Sequence, residues 1–171
     1  MNKYSGKTIT IIGAGYVGLS TAALFSNSDN TVYLIDVNKD RLNTIKSGKS
    51  FFYEQGIDPL IERAVKKKSL IPSDSYEESI PNSDVVFSCV GTPDNPDGSS
   101  NLSFVHQAAK KASLLMKPGS IFVQKSTVPV GTGIEIETSL SFEEKGISYV
   151  SNPEFLREGT AISDSLWFDR V

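Results

Sequence analysis

Apolar residues in this chain gather into short unbroken runs, and the segments between them carry apolar residues at helical spacing. The run TITII, starting at Thr8 and stopped by Gly13, is β-branched and far shorter than a buried helix, which predicts a strand buried on both faces. Val17, Ala22, Leu24 and Phe25 then mark a helix over residues 16–26. The stretch TVYLIDV from Thr31 predicts a second buried strand ending at Asp36, and residues 38–47 open on a capping Asn38 with Leu42 and Ile45 at helical spacing. The alternation continues with an amphipathic helix over residues 57–68, a short strand over 70–72, a buried strand over 85–90 and a helix over 103–116. A strand from Gly119, a helix over residues 131–145 and a last strand from Ile147 complete it. Strands alternating with helices predict an α/β fold: a doubly wound parallel six-stranded sheet with strand order 3-2-1-4-5-6. No repeat, low-complexity tract or linker interrupts the pattern, so residues 1–171 are expected to form one domain.

Composition narrows the partners. A net charge of −3 offers no basic field for nucleic acid or an anionic membrane surface, so neither is expected. The basic run of Arg63, Lys66, Lys67 and Lys68 falls at a helix end, where cations complement the dipole and remain solvated. No apolar stretch reaches the roughly 20 residues that span a bilayer, and the N-terminus lacks a secretory pattern, so a cytoplasmic protein is expected. The single cysteine, Cys89, excludes an internal disulfide, and the single histidine, His106, leaves little material for a metal site. Both are expected to be structural, with no metal.

Chemistry enters at GAGYVG, placed directly between the first strand and the first helix. Gly13 permits the tight turn, Gly15 lets backbone approach a pyrophosphate, Gly18 lets helix and strand pack closely, and the helix N-terminus faces the anion. With Asp36 ending the second strand, the motif meets the structural conditions of a dinucleotide fingerprint and predicts a Rossmann-type domain. Asp36 would accept hydrogen bonds from ribose hydroxyls and repel a 2′-phosphate, which favours NAD over NADP; its plainer role would be to cap the following helix. Arg41, one turn into that helix, either reaches the adenosine side or stands as an exposed charge, and spacing alone does not separate the two.

Three later strands end in polar residues. Gly91, Thr92 and Pro93 make an abrupt exit at a strand's carboxyl end, where open α/β sheets bind ligands, though a simple turn explains them equally well. Ser126 and Thr127 follow the next strand, either as ligand groups or as a turn with an N-cap. The last strand runs into SNPEFLREG, in which Glu154 and Glu158 stand four residues apart. Asn152, Pro153 and Glu154 also read as the cap, first proline and dipole-facing acid of a helix. Because three successive strands aim such residues at one crevice beside the cofactor, a catalytic or binding station is favoured over a cap.

The segments GAGYVGL, DVNKDRL, FYEQGIDPLI, VGTPDNPDG, KSTVPVGT, SNPEFLREGTAISD and the terminal DRV span nearly the whole chain in order. Together they resemble the N-terminal NAD-binding domain of the UDP-glucose/GDP-mannose dehydrogenase family, most of all its UDP-glucose 6-dehydrogenase members. The resemblance implies an NAD-dependent oxidation of a nucleotide-sugar C6 alcohol to a carboxylate, as in UDP-glucose to UDP-glucuronate. Two hydride transfers and a covalent thiohemiacetal and thioester stage are implied, in a full-length protein that is homo-oligomeric. Gly13, Ala14, Gly15, Tyr16, Val17, Gly18, Asp36, Arg41, Val90, Gly91, Thr92, Pro93, Asp94, Ser126 and Glu158 fall on the pattern's NAD-contact positions. Glu154 falls on the acid/base position and Thr127 on one that organises the catalytic water. Glu154, Phe155, Leu156, Arg157 and Glu158 fall on the substrate-lining stretch.

Two departures qualify the resemblance. Phe168 stands where the family has proline. The family's nucleophilic cysteine, with the lysine, asparagine and aspartate that assist it, belongs to middle and C-terminal parts that have no counterpart in these residues. The sequence is therefore expected to be a truncated, NAD-binding half without activity of its own, and Cys89 has no match to the nucleophile's motif. A stand-alone, non-catalytic dinucleotide-binding module and a dehydrogenase of GDP-mannose or another UDP-sugar remain as alternatives. A β-hydroxyacid dehydrogenase is more distant, because SNPEFLREG argues against it.

Overall fold

The structure, a computed structural model, describes residues 6–168, so the terminal DRV motif lies outside the described residues. Six strands, β1 (Thr8–Ile12), β2 (Thr31–Ile35), β3 (Leu70–Ser73), β4 (Val85–Ser88), β5 (Ile121–Gln124) and β6 (Ser148–Ser151), form one sheet in the order β3-β2-β1-β4-β5-β6. Every neighbouring pair is parallel, as the alternation of elements predicts. Helices α1 (Tyr16–Ser26), α2 (Lys39–Lys46), α3 (Ile57–Lys66), α4 (Tyr76–Ser79), α5 (Ser103–Ser113), α6 (Thr132–Ser139) and α7 (Ala161–Leu166) lie between and after the strands.

Residues of the central strands alternate between two cores, which is why their runs are mostly apolar, whereas the edge strand β6 is largely exposed. Phe87 and Val123 pack with Leu19 and Ala22 of α1 and Ile61 of α3. Their neighbours Val86 and Phe122 pack with Val105 and Ala109 of α5 and Ile136 of α6 on the opposite face. Asn38 caps α2 as expected, its side chain accepting from the amides of Asp40 and Arg41 at 3.0 and 3.1 Å.

The structure corrects several boundaries. The helix expected over residues 131–145 ends at Ser139, because Ser141 turns into the left-handed region (φ 51°) and drops Phe142 into the core, its ring 5.6 Å from that of Phe122. Likewise α5 stops at Ser113 rather than at residue 116. Cys89 and Val90 lie beyond the end of β4 instead of within it. No helix starts at Asn152: its amide still donates to the Gln124 carbonyl at 2.9 Å, extending the β5–β6 ladder, as the residue before a proline favours. The next helix, α7, begins only at Ala161, so the capping role for Glu154 falls away.

Candidate functional site

All five parallel pairings point the strands' carboxyl ends one way, and the turn after β1 opens a cleft of about 590 Å³ at that edge. Gly13 adopts φ +99°, and a Cβ there would come within 2.7 Å of the Cys89 carbonyl oxygen, so only glycine fits this crossing of β1 and β4. At Gly18 a methyl group would overlap the Gly13 carbonyl oxygen, which holds α1 tightly against its own entry turn. The start of α1 carries neither a capping side chain nor an acidic residue, and a Cβ at Gly15 would meet nothing within 4 Å. The amides at this helix start therefore face an open cradle suited to a pyrophosphate.

Asp36 anchors the cradle from the neighbouring strand. Its Oδ2 accepts the Ala14 amide at 2.7 Å and its Oδ1 the Asn38 amide at 2.8 Å. Arg41 stands 3.9 Å from the same carboxylate and lies over the Phe51 ring at 5.0 Å. Neither residue is spent on capping α2. The carboxylate keeps acceptor sites for ribose hydroxyls, since its two oxygens offer about four lone-pair positions.

Of the residues expected at the cofactor, the cleft gathers Gly13, Gly15, Tyr16, Val17, Asp36, Arg41, Val90, Gly91, Thr92 and Ser126, together with Thr127 and Glu154. Ser126 ties two strand ends together, its hydroxyl donating to the Val90 carbonyl at 2.6 Å. Ala14 and Gly18 are buried behind the cradle and shape it rather than line it. Pro93, Asp94 and Glu158 stay outside the lining of this cleft. Sequence reasoning missed Tyr76, Phe104, Gln107 and Lys111, which form the opposite wall, with the Lys111 ammonium 5.4 Å above the Tyr76 ring. For Phe104 and Gln107 the signal was positional, because the first turns of α5 follow the carboxyl end of β4 and so border the crevice; Tyr76 of α4 and Lys111 in the last turn of α5 gave no such signal.

A second cleft of about 640 Å³ adjoins the first, lined by Lys125, Glu154, Phe155, Leu156, Arg157 and Trp167 among others. Four of the five residues expected to line the substrate are here, and Glu158 is not. Glu154 borders both clefts, and its Oε2 is buried without a hydrogen-bond partner. A buried acceptor left open between two clefts is a group prepared for a ligand or a water. Arg157 grips Asp164 through Nη2 to Oδ1 at 2.8 Å and Nε to Oδ2 at 3.2 Å, and these bonds hold the Asp164 carboxyl far below the usual carboxylate range. Cys89 is half-buried as a residue, yet desolvation of its sulfur pushes the thiol up to about 12, so it stays protonated and a poor nucleophile near neutral pH.

The family model described as UDP-glucose/GDP-mannose dehydrogenase family, NAD binding domain, matches residues 7–171. The chain belongs to this family. The chain is thus an NAD-binding domain of that family. A UDP-glucose 6-dehydrogenase of Bacillus subtilis, YwqF, is 39% identical over 166 residues, covering 95% of this chain and 38% of that protein. Among solved structures, the UDP-glucose dehydrogenase of Pyrobaculum islandicum matches with a TM-score of 0.85 at 34% identity, covering 99% of this chain and 40% of that one. The GDP-mannose dehydrogenase of Pseudomonas aeruginosa matches with a TM-score of 0.86 at 30% identity, covering 92% and 38%. The chain therefore spans about two fifths of the length of these dehydrogenases. No helix among the described residues is long and apolar enough to cross a membrane.

Proposed function

We propose that this chain is the NAD-binding part of a nucleotide-sugar 6-dehydrogenase that converts UDP-glucose to UDP-glucuronate in two NAD-dependent steps through a thioester. The observation that carries the reading is Glu154, a carboxylate shared by the NAD cleft and the neighbouring cleft with one buried oxygen unpartnered. Bound NAD supplies the hydride acceptor. Glu154 holds a water at Oε2 and takes its proton as the water oxygen adds to the thioester carbonyl, with the Thr127 hydroxyl lining the same cleft to orient it. The products are the carboxylate and the released thiol. Phe155 and Leu156 give the neighbouring cleft an apolar lining, and Arg157 lines it beside Asp164. The nucleophile is supplied by polypeptide outside these 171 residues, in keeping with the high pKa of Cys89 and the greater length of the relatives. By the same proposal Pro93, Asp94 and Glu158 reach the cofactor only in the completed enzyme, and the chain alone turns nothing over.

The test is a rate comparison in an enzyme completed with the remaining domains of the family. UDP-glucose is expected to be oxidised with two NADH formed per sugar and with kcat/KM at least tenfold above that for GDP-mannose. Preference for GDP-mannose, the sugar nucleotide in the name of the Pseudomonas aeruginosa relative, would overturn the sugar assignment. A single NADH per sugar would overturn the thioester route.

A further inference from the structure

Glu54 is the one carboxylate among the fully buried groups of the described residues, only 5% exposed, and nothing in the cofactor or sugar chemistry employs it. It sits in the loop before α3 and reaches elements far away in sequence. The Tyr16 hydroxyl, from the glycine turn, donates to Glu54 Oε2. The Gly159 amide donates to that same oxygen at 2.9 Å and to the Tyr16 hydroxyl oxygen at 2.6 Å, and the Ile162 amide donates to Glu54 Oε1 at 3.2 Å. Desolvation first, and then the bond to Glu54, hold the Tyr16 hydroxyl above its usual pKa, so it remains a donor. Thr160, at the N-cap of α7, contributes no capping side-chain bond. Glu54 caps that helix from 108 residues away.

The attachment bears on Glu154 because the stretch between β6 and α7 is held at two ends. At one end the Asn152 amide is fastened to Gln124. At the other, Arg157, Thr160 and Asp164 are bonded to one another, and Glu54 is a polar anchor between this segment and the rest of the domain. Tyr16 also lines the NAD cleft, and its ring packs at a tilt against Phe52, centroids 4.4 Å apart, two residues before Glu54. From this arrangement we infer that Glu54 is a positioning residue: it latches the segment carrying Glu154 onto the glycine turn, so that filling the NAD cleft stiffens the wall of the neighbouring cleft. The coupling rests on the NAD reading of the first cleft. By linkage, an occupant of the second cleft would tighten NAD binding by the same factor.

Amide hydrogen exchange on the 171-residue chain tests the latch in two arms. Without NAD, Glu54→Gln is expected to speed exchange of the Gly159 and Ile162 amides at least tenfold while the strand amides of β1 and β4 keep their protection. Tyr16→Phe, which leaves Glu54 in place as acceptor, should speed it far less. With saturating NAD, wild type is expected to gain at least tenfold further protection at these two amides, and both variants should lose that increment. Unchanged exchange at Gly159 and Ile162 in Glu54→Gln overturns the positioning role. An NAD-dependent gain that survives in both variants overturns the coupling, as does its absence from NAD-bound wild type. Calorimetry on the same samples separates these outcomes from a failure of NAD to bind, which would sink the cofactor reading while the first arm still decides the latch.

Discussion

Gly18→Ala is expected to cost this domain about 3 kcal/mol or more, at the upper end of what overpacking a tight core does. The added methyl would overlap the Gly13 carbonyl oxygen, a backbone atom that cannot rotate away, and would also come within 3.3 Å of the Cys89 Cβ. Relief requires α1 to lift from β1, which pulls Leu19, Ala22 and Ala23 out of one core. For a chain of this length each kcal/mol moves the melting temperature by roughly 2–4 °C, so thermal unfolding should fall by roughly 6–12 °C, with NAD binding lost in whatever remains folded. A melting temperature within a degree of wild type would show that the crossing of α1 over the turn is looser than described.

Glu154→Gln is the second large effect, and it concerns chemistry rather than stability. Glutamine preserves the shape of the side chain but cannot take a proton from water, so in the completed enzyme kcat for carboxylate formation should drop roughly 10²–10⁴-fold. The first oxidation does not require that proton transfer. The thioester should therefore accumulate and be visible by mass spectrometry as sugar nucleotide bound to the protein after a single turnover. Undiminished turnover with no covalent species would remove Glu154 from the water-activating role.

The sheet was legible because burial on both faces makes its central strands mostly apolar, so their runs stand out, and alternation with helices leaves few topologies. The glycine turn was legible for a related reason: Gly13 and Gly18 answer steric demands that no other residue meets. Boundaries set by tertiary contacts were not. The early end of α6 depends on where Phe142 finds its partner, and the extended Asn152 depends on a ladder bond to Gln124, neither visible from local spacing. In the site, residues following a strand end were found and those facing them from α4 and α5 were not, because Tyr76 and Lys111 meet the cleft only after folding. Glu54 was the hardest to foresee: an acid in a polar loop looks solvated until its partners at Tyr16 and Gly159 arrive from distant segments.

The cradle and Asp36 are tested together by calorimetric titration of the 171-residue chain with NAD and NADP separately. Because Asp36 also holds the Ala14 amide, Asp36→Asn is a fairer companion than alanine: it keeps one side-chain oxygen for the turn and removes the charge. NAD is expected to bind with a Kd between micromolar and millimolar, NADP at least tenfold more weakly, and Asp36→Asn should narrow that gap. A folded sample that takes up neither nucleotide, or that prefers NADP, would contradict the NAD reading of the cleft.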